Sequence, residues 1–157
     1  MDKLILILIL FLSCFHDSNE IVIREMHDYD FENDIKINSK YEAFDFIRSN
    51  ISYKIEAFDY WQIPEETWTL KTGDCEDVCI FFMYLIETKL NIRTNLIMIS
   101  NGIHYHTIVT CDNKYYCLVN FSISDYIYEG WQIVYEIPYS ELMWMTFYYH
   151  DNVGKYF

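Results

Sequence analysis

The chain has 157 residues and a mass of 19.1 kDa, which is enough for one compact domain. Hydrophobic residues make up 52% and charged residues 22%, and this composition excludes an intrinsically disordered chain. With 11 basic and 24 acidic residues, the formal charge is -13. Such a charge repels phosphate backbones and anionic membrane surfaces, so nucleic-acid binding is not expected.

The N-terminus has the pattern of an export signal. Lys3 precedes an apolar run over residues 4–12. This run suits the hydrophobic region of a signal peptide and is too short for a membrane span, which needs roughly 20 residues. The next residues, Phe11-Leu12-Ser13-Cys14, resemble a bacterial lipobox, although Phe11 stands where Leu is usual. They predict removal of residues 1–13 and lipidation of Cys14. Plain secretion, an uncleaved anchor and a buried N-terminal strand remain alternatives.

The predicted organisation is a signal peptide, a tether over residues 14–38 and one domain over residues 39–157. We expect an exported lipoprotein anchored in the membrane only through its N-terminus, in the periplasm or at the cell surface. Four cysteines remain once Cys14 is set aside, and their spacing does not match a zinc site. Cys75 and Cys79 lie on consecutive helix turns, while Cys111 and Cys117 flank a turn. Spacing alone does not settle whether either pair is bridged. A bridge between Cys75 and Cys79 would be strained, and a three-residue loop over residues 112–114 would make Cys111 and Cys117 diagonal neighbours, which are too far apart for easy bridging, so free thiols are predicted.

The domain is predicted to begin with two helices. Ser39 and Glu42 match a capping box, which starts a helix over residues 40–50. Residues 51–73 lack a clear period and are predicted to form an ordered loop with a short turn. Asp74 then caps the strongest helical pattern in the chain, a largely buried helix over residues 75–90.

The second half of the domain is predicted to be mainly β. The Asn101-Gly102 pair is typical of a hairpin, and Pro138 ends a final strand at the sheet edge. Ser140–Tyr149 follows as a terminal helix. The order of elements predicts an α+β domain in which the cysteine-bearing helix packs on a small antiparallel sheet of about three or four strands. Those strands are predicted over residues 95–100, 104–111, 115–121 and 131–137.

Cys75 is the first candidate for chemistry. A helix N-terminus lowers a thiol pKa, and its free N–H groups can hold an oxyanion. The neighbouring carboxylates of Asp74, Glu76 and Asp77 raise the thiol pKa instead, so an activated thiol here needs a cationic partner. The alternative is an inert buried cysteine beside an acidic helix cap.

His106 and Asn120 are the candidate partners, because a thiolate needs an imidazole and the imidazole needs an orienting acceptor. A three-residue loop over residues 112–114 would place Cys111 opposite Tyr115 and His106 opposite Asn120 on one face. A two-residue Asn113-Lys114 loop would place His106 and Asn120 on opposite faces. The predicted mechanism therefore depends on the register. Otherwise His104 and His106 are polar residues at the start of a strand.

Four segments together resemble the transglutaminase-like superfamily, and bacterial transglutaminase-like cysteine peptidases most closely. They are Trp61–Trp68, Lys71–Asp77, and the paired His106–Val109 and Val119-Asn120 stretches. The resemblance implies a papain-like core with Cys75 as nucleophile, His106 as base and acid, and Asn120 as orienter, where Asp is commoner than Asn.

The same resemblance implies further assignments. A side chain upstream of Cys75 would complete the oxyanion hole, and the candidates are Trp61, Gln62 and Trp68, which could equally be packing residues. Some relatives bind calcium through acids beside the cysteine. Asp74 and Glu76 match in position, but helix capping explains them more simply, so no metal or cofactor is predicted.

The predicted function is therefore an exported cysteine hydrolase that cleaves peptide or side-chain amide bonds of a protein or peptide substrate through a Cys75–His106–Asn120 triad. Hydrolysis is favoured over amine transfer, because nothing in the sequence marks a second, amine-binding site. The main alternative is a non-catalytic surface lipoprotein with the same fold that binds a protein or peptide. A purely structural lipoprotein is a third possibility.

Overall fold

The computed structural model describes residues 35–55 and 60–152, and it describes side chains as far as residue 146. The predicted signal peptide, Cys14 and most of the predicted tether lie outside these residues. The last part of the predicted tether belongs to the folded domain, because Ile35 and Ile37 are buried, with 4% and 8% of their surfaces exposed. The domain therefore begins at least four residues before the helix cap at Ser39.

The described chain contains four helices and seven strands, and none of these helices is long and apolar enough to cross a membrane. The helices are α1 (Lys40–Asn50), α2 (Pro64–Leu70), α3 (Cys75–Leu90) and α4 (Tyr139–Asn152). The strands are β1 (Ser52–Tyr53), β2 (Thr72–Gly73), β3 (Asn95–Ser100), β4 (Tyr105–Cys111), β5 (Lys114–Cys117), β6 (Ser122–Ser124) and β7 (Gln132–Pro138).

Helix α1 confirms the predicted helix over residues 40–50 and its N-cap at Ser39. The Ser39 hydroxyl accepts a hydrogen bond from the Glu42 N–H at 3.2 Å, as an N-cap should. The Glu42 carboxylate accepts from the backbone N–H and the side-chain amide of Asn38, at 2.9 and 3.0 Å. The first contact satisfies an N–H group that the first helical turn cannot pair internally, and the other two hold the preceding residue against the helix start.

Helix α2 was not predicted, because its seven residues form less than two turns and are too few to show a helical period. Pro64 opens it at the first helical position, where the missing N–H costs nothing. The Glu66 carboxylate accepts from the Ile63 N–H at 3.1 Å and from the Tyr60 hydroxyl at 2.8 Å. The Pro-Glu-Glu sequence was therefore the available signal for this helix.

Helix α3 forms the centre of the domain, as predicted, and every residue from Glu76 to Ile86 is buried. It packs against β3 and β4, while α1 and α2 pack on its other sides. Phe44, Phe82 and Tyr116 meet edge to face or tilted, with ring centroids 5.4–6.1 Å apart, and so join α1, α3 and the sheet in one aromatic core.

The fold is α+β, as predicted, but the main sheet has five strands rather than three or four. Its order is β6-β5-β4-β3-β7, and every pairing is antiparallel. The added strand, β6, is only three residues long and arises because the chain turns at 118–121 and pairs back on β5. Strand β7 lies at the sheet edge, as Pro138 indicated.

The register between β4 and β5 differs from both registers considered for it. The hairpin loop is Asp112-Asn113, with φ angles of +50° and +58°, so Cys111 pairs with Lys114 and Val109 with Tyr116. Positive φ at both loop residues is typical of the tight two-residue turn that matches strand twist. Strand β5 ends at Cys117, so Asn120 lies in the following turn and not opposite His106.

Candidate functional site

The start of helix α3 is held rigidly by one buried carboxylate. Asp77 is fully buried, and it accepts the N–H of Asp74 at 3.0 Å and the N–H of Gln62 at 2.8 Å. Gly73 leaves room for this arrangement, because a Cβ atom at that position would lie 2.6 Å from the Asp77 Cβ. The acidic cap therefore fixes the loop before α2 to the first turn of α3.

Cys75 lies at the first residue of α3, as predicted, but its thiol is not activated. Its Sγ donates to the Glu76 carboxyl at 3.0 Å. Burial, together with the charge of Glu76, raises the pKa of Cys75 to about 12, and the hydroxyl and N–H of Thr107 oppose this only in part. The predicted depressed thiol pKa is therefore wrong for Cys75, and at neutral pH this thiol is protonated.

The structure does not bring His106 to Cys75. Thr107 is the residue of β4 that approaches Cys75, and successive side chains on a strand point to opposite faces. His106 therefore projects from the other face, where its ring meets the edge of Trp131 at a centroid distance of 6.3 Å. Among the described residues, no hydrogen bond joins Cys75 to His106.

His106 instead contacts a thiol that the sequence did not single out. Its Nε2 lies 3.2 Å from the Sγ of Cys117, within hydrogen-bond distance for sulfur. The observed register makes the two residues diagonal neighbours on one face of the sheet, because Val109 pairs with Tyr116. A histidine side chain is long enough to span that diagonal.

The surroundings of Cys117 favour a thiolate. Burial raises the pKa of Cys117, but hydrogen bonds from the His106 ring, the Asn120 N–H, the Tyr128 hydroxyl and the Val119 N–H outweigh burial and lower it to about 7. By contrast, burial raises the pKa of both Cys79 and Cys111. All four described cysteines are free thiols, as predicted, and of these Cys117 is the one whose surroundings lower its pKa.

Asn120 does not orient His106 as predicted. Its Oδ1 accepts from the Ser122 N–H at 3.1 Å and the Ser122 hydroxyl at 2.6 Å, and its Nδ2 donates to the Tyr128 hydroxyl at 3.1 Å. The residue lies in the turn after β5 because the two-residue hairpin shortens that strand. Its link to the thiol runs through its own N–H and through Tyr128.

The predicted oxyanion-hole candidates lie among packing residues. Trp68 stacks on Phe46, with ring centroids 5.4 Å apart, and lies tilted against Phe81. Gln62 is buried, and its N–H is bound by Asp77, while Trp61 is half-buried beside it. These contacts hold α2 and its entry loop against α1 and α3.

Asp74, Cys75 and Glu76 offer ligand atoms that lie within 4.8 Å of one another. Burial, followed by hydrogen bonding to Asp74, raises the pKa of Glu76 to about 9, so this carboxyl holds its proton at neutral pH. Capping at the helix start and burial account for the positions of these acids.

No protein-family model matches the chain, and no curated protein shows significant similarity to it.

Proposed function

We propose that the protein is a cysteine hydrolase that cleaves peptide or side-chain amide bonds with Cys117 as nucleophile and His106 as its acid–base partner. The observation that carries this proposal is the 3.2 Å contact between the Cys117 sulfur and the His106 Nε2. A thiol beside an imidazole is the arrangement that activates cysteine for attack on a carbonyl. This pair keeps His106 from the triad predicted from the sequence, but its nucleophile is Cys117 instead of Cys75.

The chemistry follows from the positions of these two groups. His106 takes the thiol proton, and the thiolate attacks the carbonyl carbon of the amide. The imidazolium then gives its proton to the leaving amine as the carbon–nitrogen bond breaks, leaving a thioester. Water, deprotonated by the same imidazole, hydrolyses the thioester and restores the thiol. His106 is only partly buried, so a substrate carbonyl can approach from the imidazole side.

The proposed core is of the papain and transglutaminase-like kind. The α+β order supports this, because a buried helix that begins at a cysteine packs on an antiparallel sheet, and the second strand after that helix, β4, carries the histidine. The contacts of Cys75 argue against the usual thiol in that core, since its pKa is raised to about 12. In this proposal Cys75 has a structural role at the helix start.

The place of action is proposed from the N-terminal sequence. The apolar run and Phe11-Leu12-Ser13-Cys14 support export and lipidation at Cys14, with the domain held at the periplasmic or outer side of a membrane. The substrate in that setting is a protein or peptide.

A second candidate is a non-catalytic module that binds a protein or peptide. One observation favours it: edge strand β7 exposes three consecutive apolar side chains, Ile133, Val134 and Tyr135, at 46%, 39% and 42%. Exposed sheet edges are a common place for an extended peptide to add as a strand. The burial of Cys117 also favours this candidate, because only 3% of its surface is exposed and access to its sulfur is restricted.

Site-resolved alkylation separates the two candidates. Iodoacetamide labelling of each cysteine is followed by mass spectrometry as a function of pH in the wild type, His106→Ala and Cys75→Ser. The hydrolase proposal expects Cys117 to be labelled with a midpoint near pH 7, as the structure indicates. His106→Ala should move that midpoint upward, and Cys75→Ser should leave it unchanged.

Turnover of a mixed peptide-amide library then provides the functional test. Loss of turnover in Cys117→Ser, with retention in Cys75→Ser, supports the assignment. If His106→Ala labels like the wild type and no turnover is found, the hydrolase is refuted and the peptide-binding module is the better proposal.

A further inference from the structure

We propose that residues 125–131 form a strap that closes the Cys117–His106 site, and that this strap lifts before a substrate reaches the sulfur. The strap regulates the same site as the proposed function and rests on that function for its meaning in catalysis, but its movement can be measured without a substrate. It also accounts for the feature that argues against Cys117 as a nucleophile, which is the burial of its side chain.

The strap crosses the sheet, because it joins strands at opposite edges. Strand β6 ends at Ser124 and β7 begins at Gln132, and β5, β4 and β3 lie between them. The crossing spans four strand spacings, or about 19 Å. The eight residue steps from Ser124 to Gln132 reach at most about 29 Å. With so little slack, the chain takes a direct course over one face of the sheet.

The strap covers the face of the sheet that carries the thiol. Tyr116 packs on Phe82 of α3, so the next residue, Cys117, projects from the face opposite α3. Cys117 belongs there to a cluster of buried apolar residues, whose other members are Ile97, Ile99 and Ile108. The strap packs three partly buried side chains against this cluster, Ile127, Tyr128 and Trp131. Trp131 also meets the His106 ring, so the strap packs over both members of the proposed pair.

Side chains hold the strap in place, whereas its backbone adds no strand to the sheet. In the part of the chain that the structure describes, its one backbone–backbone hydrogen bond is internal, from the Trp131 N–H to the Tyr128 carbonyl at 3.0 Å. Every residue of the strap is at least partly exposed. A segment without ladder hydrogen bonds and without a fully buried residue opens at a small fraction of the free energy of global unfolding.

The two ends of the strap suit a hinged movement. Gly130 has a φ angle of +80°, which glycine adopts at little cost, and no atom lies within 4 Å of the place where its Cβ would be. At the other end, Asp125 pairs with Lys114 of β5 on the surface. Between them, the Tyr128 hydroxyl lies 2.9 Å from the Ser122 Oγ and acts as a polar latch. Lifting the strap breaks this latch and uncovers the cluster that contains the thiol.

The test is the rate of Cys117 alkylation by iodoacetamide at pH 8 in the full chain, followed for each cysteine by mass spectrometry. Gly130→Ala strains the closed strap, because alanine disfavours a φ angle of +80°, and opening relieves the strain. Cys117 should therefore be labelled about tenfold faster than in the wild type. Gly102→Ala is the matched control, because Gly102 has a φ angle of +86° in equally open surroundings but lies outside the strap. It should label like the wild type.

A second pair of variants tests the packing of the strap. Ile127→Ala removes a strap side chain from the cluster, so it should also speed the labelling of Cys117, by about tenfold. Ile123→Ala is its control: Ile123 pairs with Tyr116 in β6 and so shares the opposite face, and its variant should label like the wild type. The buried thiols of Cys79 and Cys111 report on global unfolding and should keep their slow rates in all four variants.

The outcomes separate the strap from the hydrolase. Wild-type labelling of Cys117 in both Gly130→Ala and Ile127→Ala would overturn the strap, and so would a parallel rise at Cys79 and Cys111. Either variant is decisive if the other fails to fold. Faster labelling of Cys117 in a protein without peptide turnover refutes the hydrolase and leaves the strap standing, whereas turnover with unchanged labelling refutes the strap alone.

Discussion

Asp77 offers the sharpest test of how the helix that begins at Cys75 is held. Its carboxylate accepts two backbone N–H groups, from Gln62 and Asp74, at 2.8 and 3.0 Å, and none of its surface is exposed. In Asp77→Asn the side chain keeps nearly the same volume but has only one acceptor oxygen. The amide NH₂ then faces one of the two backbone N–H groups, donor against donor.

The magnitude follows from these contacts. One hydrogen bond to a charged acceptor is lost, at about 1.5–3 kcal/mol, and one buried N–H is left without an acceptor, at about 1–3 kcal/mol. These costs overlap, so we expect the free energy of unfolding to fall by about 2–4 kcal/mol. At about 4 °C per kcal/mol for a domain of this size, the melting temperature should fall by roughly 8–16 °C.

The assay is urea unfolding followed by tryptophan fluorescence, together with a thermal melt. Asp125→Asn is the matched control: Asp125 is exposed and pairs with Lys114, and such surface ion pairs contribute little. The control should unfold like the wild type. If Asp77→Asn is as stable as Asp125→Asn, the buried carboxylate does not hold the helix start, and the reasoning is refuted.

Two further predictions concern Glu76 and Cys14. The folded-state pKa of Glu76 is raised from 4.5 to about 9, so the folded protein keeps a proton that the unfolded chain releases, and stability should fall as pH rises through this window, by up to about 3 kcal/mol at pH 7. In Glu76→Gln, urea titrations at pH 5 and pH 8 should give nearly the same free energy of unfolding. The prediction is contradicted if the free energy of unfolding changes equally between the two pH values in the variant and the wild type. For Cys14, mass spectrometry of the membrane fraction should find a lipidated Cys14 as the first residue; an unmodified Cys14 or a later N-terminus would exclude the anchor.

Local sequence signals predicted the elements that depend on local physics. Ser39 with Glu42 and Asp74 with Asp77 marked two helix starts, because capping is decided within four residues. The uninterrupted apolar pattern after Val78 marked the central helix, and Asn101-Gly102 marked a hairpin. These features fixed the α+β class, whereas short α2 and β6 carried too few residues to show a period.

The candidate site was decided by the tertiary structure. A tight Asp112-Asn113 turn shifts the register by one residue from the one the triad needed, and a one-residue shift in an antiparallel pair changes which side chains share a face. The Asp-Asn pair itself was the sequence signal for this turn, since both residues tolerate positive φ. That register puts Cys117, rather than Asn120, beside His106.

The sequence thus determined that Cys75 begins a buried helix and that His106 lies on a strand packed against it, because caps and periodicity act along the chain. It could not determine which thiol is ionised. The pKa of a cysteine depends on burial and on donors brought from distant segments, and those donors reach Cys117 only when the turn at 118–121 and the loop carrying Tyr128 fold back over β5. Cys75, at the helix start, is instead half-buried against a carboxyl group that raises its pKa, and the imidazole lies on the other face of the strand.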